Sequence, residues 1–382
     1  MPIDEALLDD PARLAQHDEQ GLLWALATAG AQVRRAVETA GDFGIEQLRG
    51  MELPRAMLVA TDSAPSSGSR LITRISCTRT PAITWHGVEL PRWAGPADAL
   101  LIGSVDGRHP RLAELTAQGA ARGLAMAVVA PAGSPVAHAA GRTPVHELPR
   151  DLNPRAARWA VLTPLLQALD VFGVNQIPAG LLIEVANALD AQAEICRPDG
   201  DAFVNPAKAL AVEFAGATPL IAGAGALAGV AARAISDALQ QFAGASSVSV
   251  SLPDGVGRAG ALLRGAGAPA GEDFFRDRID DVASVRARLL VVGDDGTAED
   301  MLLGERSDAQ IQLDEVAARR AAKALHELAG NLGLRSSSVQ VPSGDPLARF
   351  AAAAAFGEFA AAYLALGLGL DPGSRGPAER DH

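Results

Sequence analysis

Short, almost continuously apolar runs alternate with stretches of helical periodicity along most of the chain. In the first half the apolar runs lie at 56–60, 99–105 and 124–130, and each ends in a polar turn. A continuous apolar run predicts a strand buried on both faces, as in a parallel sheet that helices cover. We therefore predict one doubly wound α/β domain over residues 51–150, after an N-terminal helical segment at 1–50.

Local sequence signals predict the positions and ends of the helices around this domain. Leu22, Leu26, Val33 and Val37 share one side at helical spacing, so one helix is expected over 20–40, with Gly41 as its C-cap. The turn at 106–110 should precede another helix, with Leu112, Leu115 and Ala120 facing inward. Asn153-Pro154 is typical of a helix start.

The second half repeats the strand and helix pattern. Residues 151–200 predict a helical connector with helices at 155–171 and 179–195, and residues 201–382 predict a second α/β domain. Its predicted strands are 218–222, 248–252, 289–292 and 338–341, and its predicted helices are 227–242, 314–332 and a long one from Asp345. The Gly- and Ala-rich segment 258–271 is interpreted as a lid-like loop. The predicted fold class is α/β, with two doubly wound, flavodoxin-like parallel-sheet domains.

Composition restricts the partners. The formal net charge of −12 argues against nucleic acid, which needs a basic surface, although local arginines can still bind a small anion. Two distant cysteines, Cys77 and Cys196, indicate neither a disulfide framework nor a zinc site, which favours a reducing cytoplasm. We expect no membrane partner, because the uncharged stretch 214–232 is broken by Pro219 and several glycines. No metal or cofactor motif was found, so we expect no cofactor.

Three turns after predicted strands are candidate anion sites, because ligands of doubly wound sheets bind beyond the carboxyl ends of the strands. The first contains Ser66, Ser67 and Gly68, whose hydroxyls and backbone suit phosphate oxygens. It is equally typical of an ordinary serine-rich loop.

The second turn offers Ser104, Gly107, Arg108 and His109 as phosphate ligands. Asp106 in the same turn would repel an anion, so the segment alone is more typical of a solvated turn.

The third turn, with Gly223, Gly225 and Gly229, approaches a dinucleotide-binding fingerprint but has one extra residue before the last glycine. Asp254 follows the next strand, where an acidic side chain could reach a ribose. The pattern serves equally for a close backbone approach to any phosphate.

With these turns in this order, the chain resembles the sugar-isomerase (SIS) family, and most of all the bifunctional phosphoglucose/phosphomannose isomerases. The likeness covers roughly residues 50–375: Ser67-Gly68 stands at the family's first phosphate loop, Ser104–His109 at its second, and Gly229-Val230-Ala231 and Gly369–Pro372 also match. The resemblance implies two SIS-type domains, a phosphorylated sugar as ligand and a homodimer. Arginine greatly outnumbers lysine, which occurs only at Lys208 and Lys323, as expected of a divergent member from a GC-rich, actinobacterial genome.

The family's catalytic groups are only partly matched. Aldose–ketose isomerisation needs a group that opens the ring and a carboxylate that moves a proton. Asp237 or Gln240 falls near the family's glutamate position, and only Asp237 could act as the base. The family's ring-opening histidine and its C-terminal lysine have no counterpart.

Sequence therefore predicts a sugar-phosphate-binding protein with a degenerate catalytic set. The alternatives are an active isomerase that uses Asp237, and a dinucleotide-binding enzyme that uses the Gly223 turn. The apolar C-terminal helix, with Phe356, Phe359, Tyr363 and Leu366, is either the dimer contact or an internal core helix.

Overall fold

The computed structural model describes residues 3–62, 66–76, 79–267, 286–293, 308–339 and 344–373. They form two α/β layers, each built around a parallel sheet, and the predicted fold class is confirmed.

The first sheet has five parallel strands in the order β2-β1-β3-β4-β5. Its strands are β1 (Met57–Thr61), β2 (Ala82–Thr84), β3 (Ala99–Gly103), β4 (Ala125–Pro131) and β5 (Val145–Leu148). The covering helices are α5 (Ser66–Ser76), α6 (Pro110–Arg122), α7 (Pro135–Ala139) and α8 (Arg158–Val171). This strand order is flavodoxin-like, and the connections reverse direction between β1 and β3.

The second sheet has four parallel strands in the order β7-β6-β8-β9, so its connections reverse between β6 and β8. Its strands are β6 (Ala217–Ala224), β7 (Val248–Leu252), β8 (Arg286–Gly293) and β9 (Ser336–Val339). The helices around it are α10 (Pro206–Phe214), α11 (Ala226–Ala243), α12 (Val256–Gly267), α13 (Asp308–Asn331) and α14 (Pro346–Gly367). Helix α9 (Ala179–Ile195) packs between α4 and α14.

The N-terminal segment consists of short helices instead of the single predicted one. They are α1 (Glu5–Leu8), α2 (Pro11–His17), α3 (Leu22–Ala27) and α4 (Ala29–Glu38), followed by 3-10 turns at Ala40–Phe43 and Ile45–Leu48. The break lies at Thr28, whose hydroxyl bonds the Ala25 carbonyl at 2.7 Å and so competes with helix continuation. Gly41 is not a C-cap, because it lies inside a 3-10 turn.

Three further local predictions were wrong. Ala120 is exposed, and Gly119 takes the inward position of α6. Helix α8 begins at Arg158, since the Asn153 side chain closes a local turn on the Arg155 amide. Residues 256–267 form α12 instead of a loop, and 268–271 lie outside the described residues.

Helix α14 joins the two layers into one apolar core. It packs mainly on α11 and α9, and a Cβ at Gly357 would lie 2.3 Å from the Ile235 side chain, so the crossing with α11 needs glycine. Glu358 forms a buried ion pair with Arg158 of α8 at 2.8 Å. Burial raises the pKa of Glu358, and the Arg158 guanidinium opposes that shift.

Among the described residues, α14 is the one helix long and apolar enough to span a membrane, and it is fully buried inside the fold. The uncharged stretch 214–232 is instead the predicted strand, glycine turn and helix, namely β6 and the start of α11.

Candidate functional site

The carboxyl ends of β1 and β3 form the switch point of the first sheet, where ligands of this topology bind. Asp62, directly after β1, occupies it and accepts a 2.6 Å hydrogen bond from the Val105 amide. Its second oxygen, Oδ1, is buried and has no hydrogen-bond partner within the described part of the chain. Burial raises the pKa of Asp62 to about 6, against the opposing effect of the Val105 hydrogen bond. Asp62 was not predicted from the sequence, although an acidic residue directly after a buried strand was a usable signal.

The predicted turn at Ser104–His109 is held by oxygens of the chain itself. The buried Ser104 Oγ accepts from the Gly107 amide at 3.1 Å, and Asp106 accepts from the Arg108 amide at 2.9 Å. Because Asp62 takes the Val105 amide, three donors that could have faced a phosphate are already occupied. Two of the three acceptors are carboxyl groups, so this backbone does not form a ready anion cradle.

Arg108 does face a cavity. A cleft of about 490 Å³ lies beyond the carboxyl ends of β3, β4 and β5, and both Arg108 and Arg150 line it. Arg150 also donates to the Ala132 carbonyl at 3.3 Å, which holds its side chain beside the β4 turn. We call this cavity the strand-end cleft. Its remaining lining residues are Val105, Asp106, Pro131–Pro135, Pro149, Leu152 and Pro154.

Of the other predicted ligands of the first layer, Gly68 and His109 do not line the cleft. Ser66, Ser67 and Gly68 form the first turn of α5, so the predicted serine-rich loop is wrong for these residues, and 63–65 lie outside the described residues. His109 is the N-cap residue of α6, and its side chain makes no capping bond.

In the second layer, the Gly223 turn is closed on itself. A Cβ at Gly223 would lie 2.2 Å from the Ala228 carbonyl oxygen, and one at Gly229 would lie 2.5 Å from Ser251 Oγ. Gly225 has φ +118° and caps α11. The glycines therefore allow helix α11 to pack closely on strands β6 and β7.

Little space remains between the start of α11 and α14. The cavity that the described residues leave at the start of α11 holds about 10 Å³, and α14 residues Pro346, Arg349 and Phe350 contribute to its lining. A dinucleotide pyrophosphate does not fit this space, while a separate cavity of about 380 Å³ lies beyond the ends of β6 and β8 and is lined by Ala224, Gly293 and residues of α13. Asp254 lies exposed beyond β7.

Asp237, the predicted base, lies in the middle of α11. Eleven residues separate it from the start of the helix at Ala226, a distance of about 16 Å at the usual helical rise. Arg233, one turn earlier, forms an ion pair with it at 2.7 Å. It does not line the strand-end cleft. Gln240 bonds Ser236 and Ser247.

No group of three or more His, Cys, Asp or Glu side chains that could hold a metal ion occurs among the described residues. The site is therefore characterised by two arginines, a buried carboxyl group and a self-bonded turn.

Comparison with known proteins supports the fold. No family model matches the sequence, and no curated protein matches it. Among solved structures, a glucose-6-phosphate isomerase-like protein from Thermus thermophilus superposes with a TM-score of 0.53 at 19% identity, covering 98% of this chain and 97% of that one. Tagatose-6-phosphate ketose/aldose isomerase from Escherichia coli gives a TM-score of 0.58 at 11% identity, covering 95% and 96%.

A third similar structure is the C-terminal domain of glucosamine-fructose-6-phosphate aminotransferase from Francisella tularensis, with a TM-score of 0.56, 7% identity, and coverage of 91% and 96%. At these identities the likeness establishes the shared two-layer fold, and it extends over nearly the whole chain.

Proposed function

We propose that the protein binds a phosphorylated sugar in the strand-end cleft without isomerising it. The observation that carries the proposal is the convergence of Arg108 and Arg150 on one cavity beyond three neighbouring strand ends. Guanidinium groups bind phosphate by paired, charge-assisted hydrogen bonds. The similar solved structures are named for enzymes of sugar phosphates, which supports this ligand class.

The lack of isomerase activity follows from the catalytic groups. Asp237 is ion-paired within its own helix and lies outside the cleft. The positions where the resemblance calls for a ring-opening histidine hold Asp254 and Gly255. Without the acid and base that the resemblance calls for at these positions, the proton transfer between C1 and C2 loses the factor of about 10²–10⁴ that each such group supplies. Relation to the glucose-6-phosphate and mannose-6-phosphate isomerases, with a degenerate catalytic set, is our proposal for this chain.

The test combines binding with turnover. Glucose, mannose and fructose 6-phosphates are titrated by calorimetry and by thermal unfolding, which a ligand of the native state shifts upward. We expect Arg108→Ala and Arg150→Ala each to weaken binding about tenfold, the loss of one charge-assisted contact. Arg92→Ala, which changes an exposed arginine outside the cleft, is the matched control and should bind normally.

A coupled assay that interconverts the three sugar phosphates should show no turnover. Binding that is unaffected by both cleft variants, or no binding at all, would contradict the proposed site and ligand. Turnover would favour the isomerase alternative.

We also propose a homodimer, to be checked by size-exclusion chromatography with light scattering. Its interface cannot be the helix with Phe356, Phe359, Tyr363 and Leu366, since all four are buried within the single chain. A strictly monomeric mass would contradict this proposal.

A further inference from the structure

A second and larger opening adjoins the strand-end cleft on the outer side of β5. It is a groove of about 1060 Å³ between α3–α4 on one wall and β5 with residues 149–154 on the other. We call it the β5 groove. Its lining includes Trp24, Arg35, Asp42, His146, Glu147 and Asp151. Neither the sequence motifs nor the proposed function assigns a role to it.

His146 makes this groove different from an ordinary crevice. Its side chain is only 8% exposed and packs edge-on against Phe43, with ring centroids 5.4 Å apart. In the described part of the chain neither ring nitrogen has a hydrogen-bond partner within the protein, and neither is fully buried. Burial and then the Arg35 charge lower the pKa of His146 to about 4, so the ring is neutral at pH 7 and offers one donor and one acceptor.

Arg35 lies beside His146 on the same groove. Arg35 is exposed, and within the described ranges its guanidinium has no acidic side chain within salt-bridge distance and no side-chain hydrogen bond. An unpaired guanidinium next to an unpaired neutral imidazole is a suitable pair of donors for one phosphate group.

Trp24 adds an aromatic surface to the same wall. Its side chain is 76% exposed, the largest exposure among the described tryptophans. A solvent-exposed indole on a groove wall gives a planar ligand a stacking surface, and stacking of a base on an aromatic side chain contributes about 1–3 kcal/mol.

The groove and the cleft are adjacent. Pro149, Arg150, Leu152 and Pro154 line both, so Arg150 stands between them. A hexose phosphate needs only the smaller cleft, while the joint space suits a ligand at least as large as those that fill pockets of about 300–1,000 Å³.

Three carboxylates on the groove, Asp42, Glu147 and Asp151, restrict the ligand further. They repel a bare polyphosphate, but they accept hydrogen bonds from ribose hydroxyls and from the N–H groups of a base. The ligand for this groove therefore combines phosphate with a flat ring and several donor groups.

We propose that the β5 groove binds the nucleoside end of a nucleoside diphosphate sugar. In this arrangement the base stacks on Trp24, one phosphate contacts Arg35 and His146, the other contacts Arg150, and the sugar enters the strand-end cleft. The inference rests on the proposed function, because it makes the phosphorylated sugar of that function part of a larger molecule.

The experiment titrates the full-length protein with UDP-glucose, ADP-glucose and glucose 6-phosphate, using calorimetry together with tryptophan fluorescence. We expect a diphosphate sugar to bind at least tenfold more tightly than glucose 6-phosphate and to quench the fluorescence. Trp24→Ala and Arg35→Gln should each weaken its binding about tenfold and leave glucose 6-phosphate binding unchanged. Trp93→Ala is the matched control, because Trp93 is also exposed, at 45%, but contacts Arg55 outside the groove.

The possible failures are distinguishable. If glucose 6-phosphate binds in an Arg108-dependent manner while neither diphosphate sugar binds more tightly, the groove inference is overturned and the proposed function stands. If a diphosphate sugar binds but Trp24→Ala and Arg35→Gln have no effect, the groove is not its site. If no ligand binds, both proposals fail. Circular dichroism of each variant confirms that it is folded.

Discussion

The two sheets share a strand order but differ at their switch points. In the first sheet, the point between β1 and β3 is occupied by a carboxyl group, since Asp62 bonds the Val105 amide there, and open space remains beside it in the strand-end cleft. In the second, backbone packs closely around Gly223 and only about 10 Å³ remains between the start of α11 and α14, while a separate cavity of about 380 Å³ lies beyond the ends of β6 and β8 against α13.

This difference shows that topology alone does not create a binding site. Small residues let α11 approach β6 and β7 so closely that little volume remains between its first turn and α14. Larger and charged side chains keep the first layer open, with arginines at its rim. In the proposed function the first layer serves recognition, and the second contributes core packing through α11 and α14.

The largest effect on stability is expected from adding one methyl group at the carboxyl-end edge of each sheet. In Gly223→Ala the new Cβ would meet backbone at 2.2 Å, so α11 must shift, and we expect a loss of about 3 kcal/mol in the free energy of unfolding. Gly133→Ala, in the cleft, meets nothing closer than 4.0 Å and has only its φ of +69° as a penalty, about 1 kcal/mol. Urea unfolding of both variants measures the difference. Equal losses would show that the two edges are packed alike.

A smaller effect on the free energy of unfolding, one that depends on pH, is expected at Asp62. Its pKa is raised in the native state from 3.8 to about 6, so between these values the native state binds more protons than the unfolded state. Stability contributed by this group is therefore present at low pH and decreases as the pH rises from about 4 through 6, by about 2 kcal/mol between pH 4.5 and pH 7. Asp62→Asn keeps an acceptor for the Val105 amide and should lack this decrease.

The readout is the stability difference between Asp62→Asn and wild type at pH 4.5 and pH 7. The comparison with wild type is needed because His146 titrates in the same pH range. Its pKa is lowered to about 4, so it changes stability with pH in the opposite direction. The variant should be relatively more stable at pH 7 than at pH 4.5. A pH-independent difference would mean that Asp62 ionises normally.

Sequence patterns predicted the buried strands and the long helices well, because continuous apolar runs and helical periodicity reflect burial directly. Helix α9 at 179–195 and strand β7 at 248–252 agree with prediction at both ends. The short edge strands β2 and β5 were not predicted, since half-buried strands of three or four residues have little pattern.

The candidate site was predicted less well, for a physical reason. Arg108 was identified because it follows a strand, but Arg150 and His146 come from a later strand whose position in the sheet no local pattern reveals. Whether a turn's amides are free depends on partners distant in sequence, as with Asp62 and Val105, which are 43 residues apart.

The smallest effect on stability is expected at Asp237. The same variant tests whether the two layers differ in function. Its partner Arg233 is 42% exposed, so solvent screens the pair, and Asp237→Asn should cost only about 0.5–1 kcal/mol of stability. Because the side chain lies on α11 and not on the strand-end cleft, sugar-phosphate affinity should remain that of wild type, in contrast to Arg108→Ala. Calorimetric titration of both variants with mannose 6-phosphate makes this comparison. If wild type instead isomerises the sugar and Asp237→Asn abolishes the turnover, then the second layer supplies the chemistry and the division between a recognition layer and a core layer is wrong.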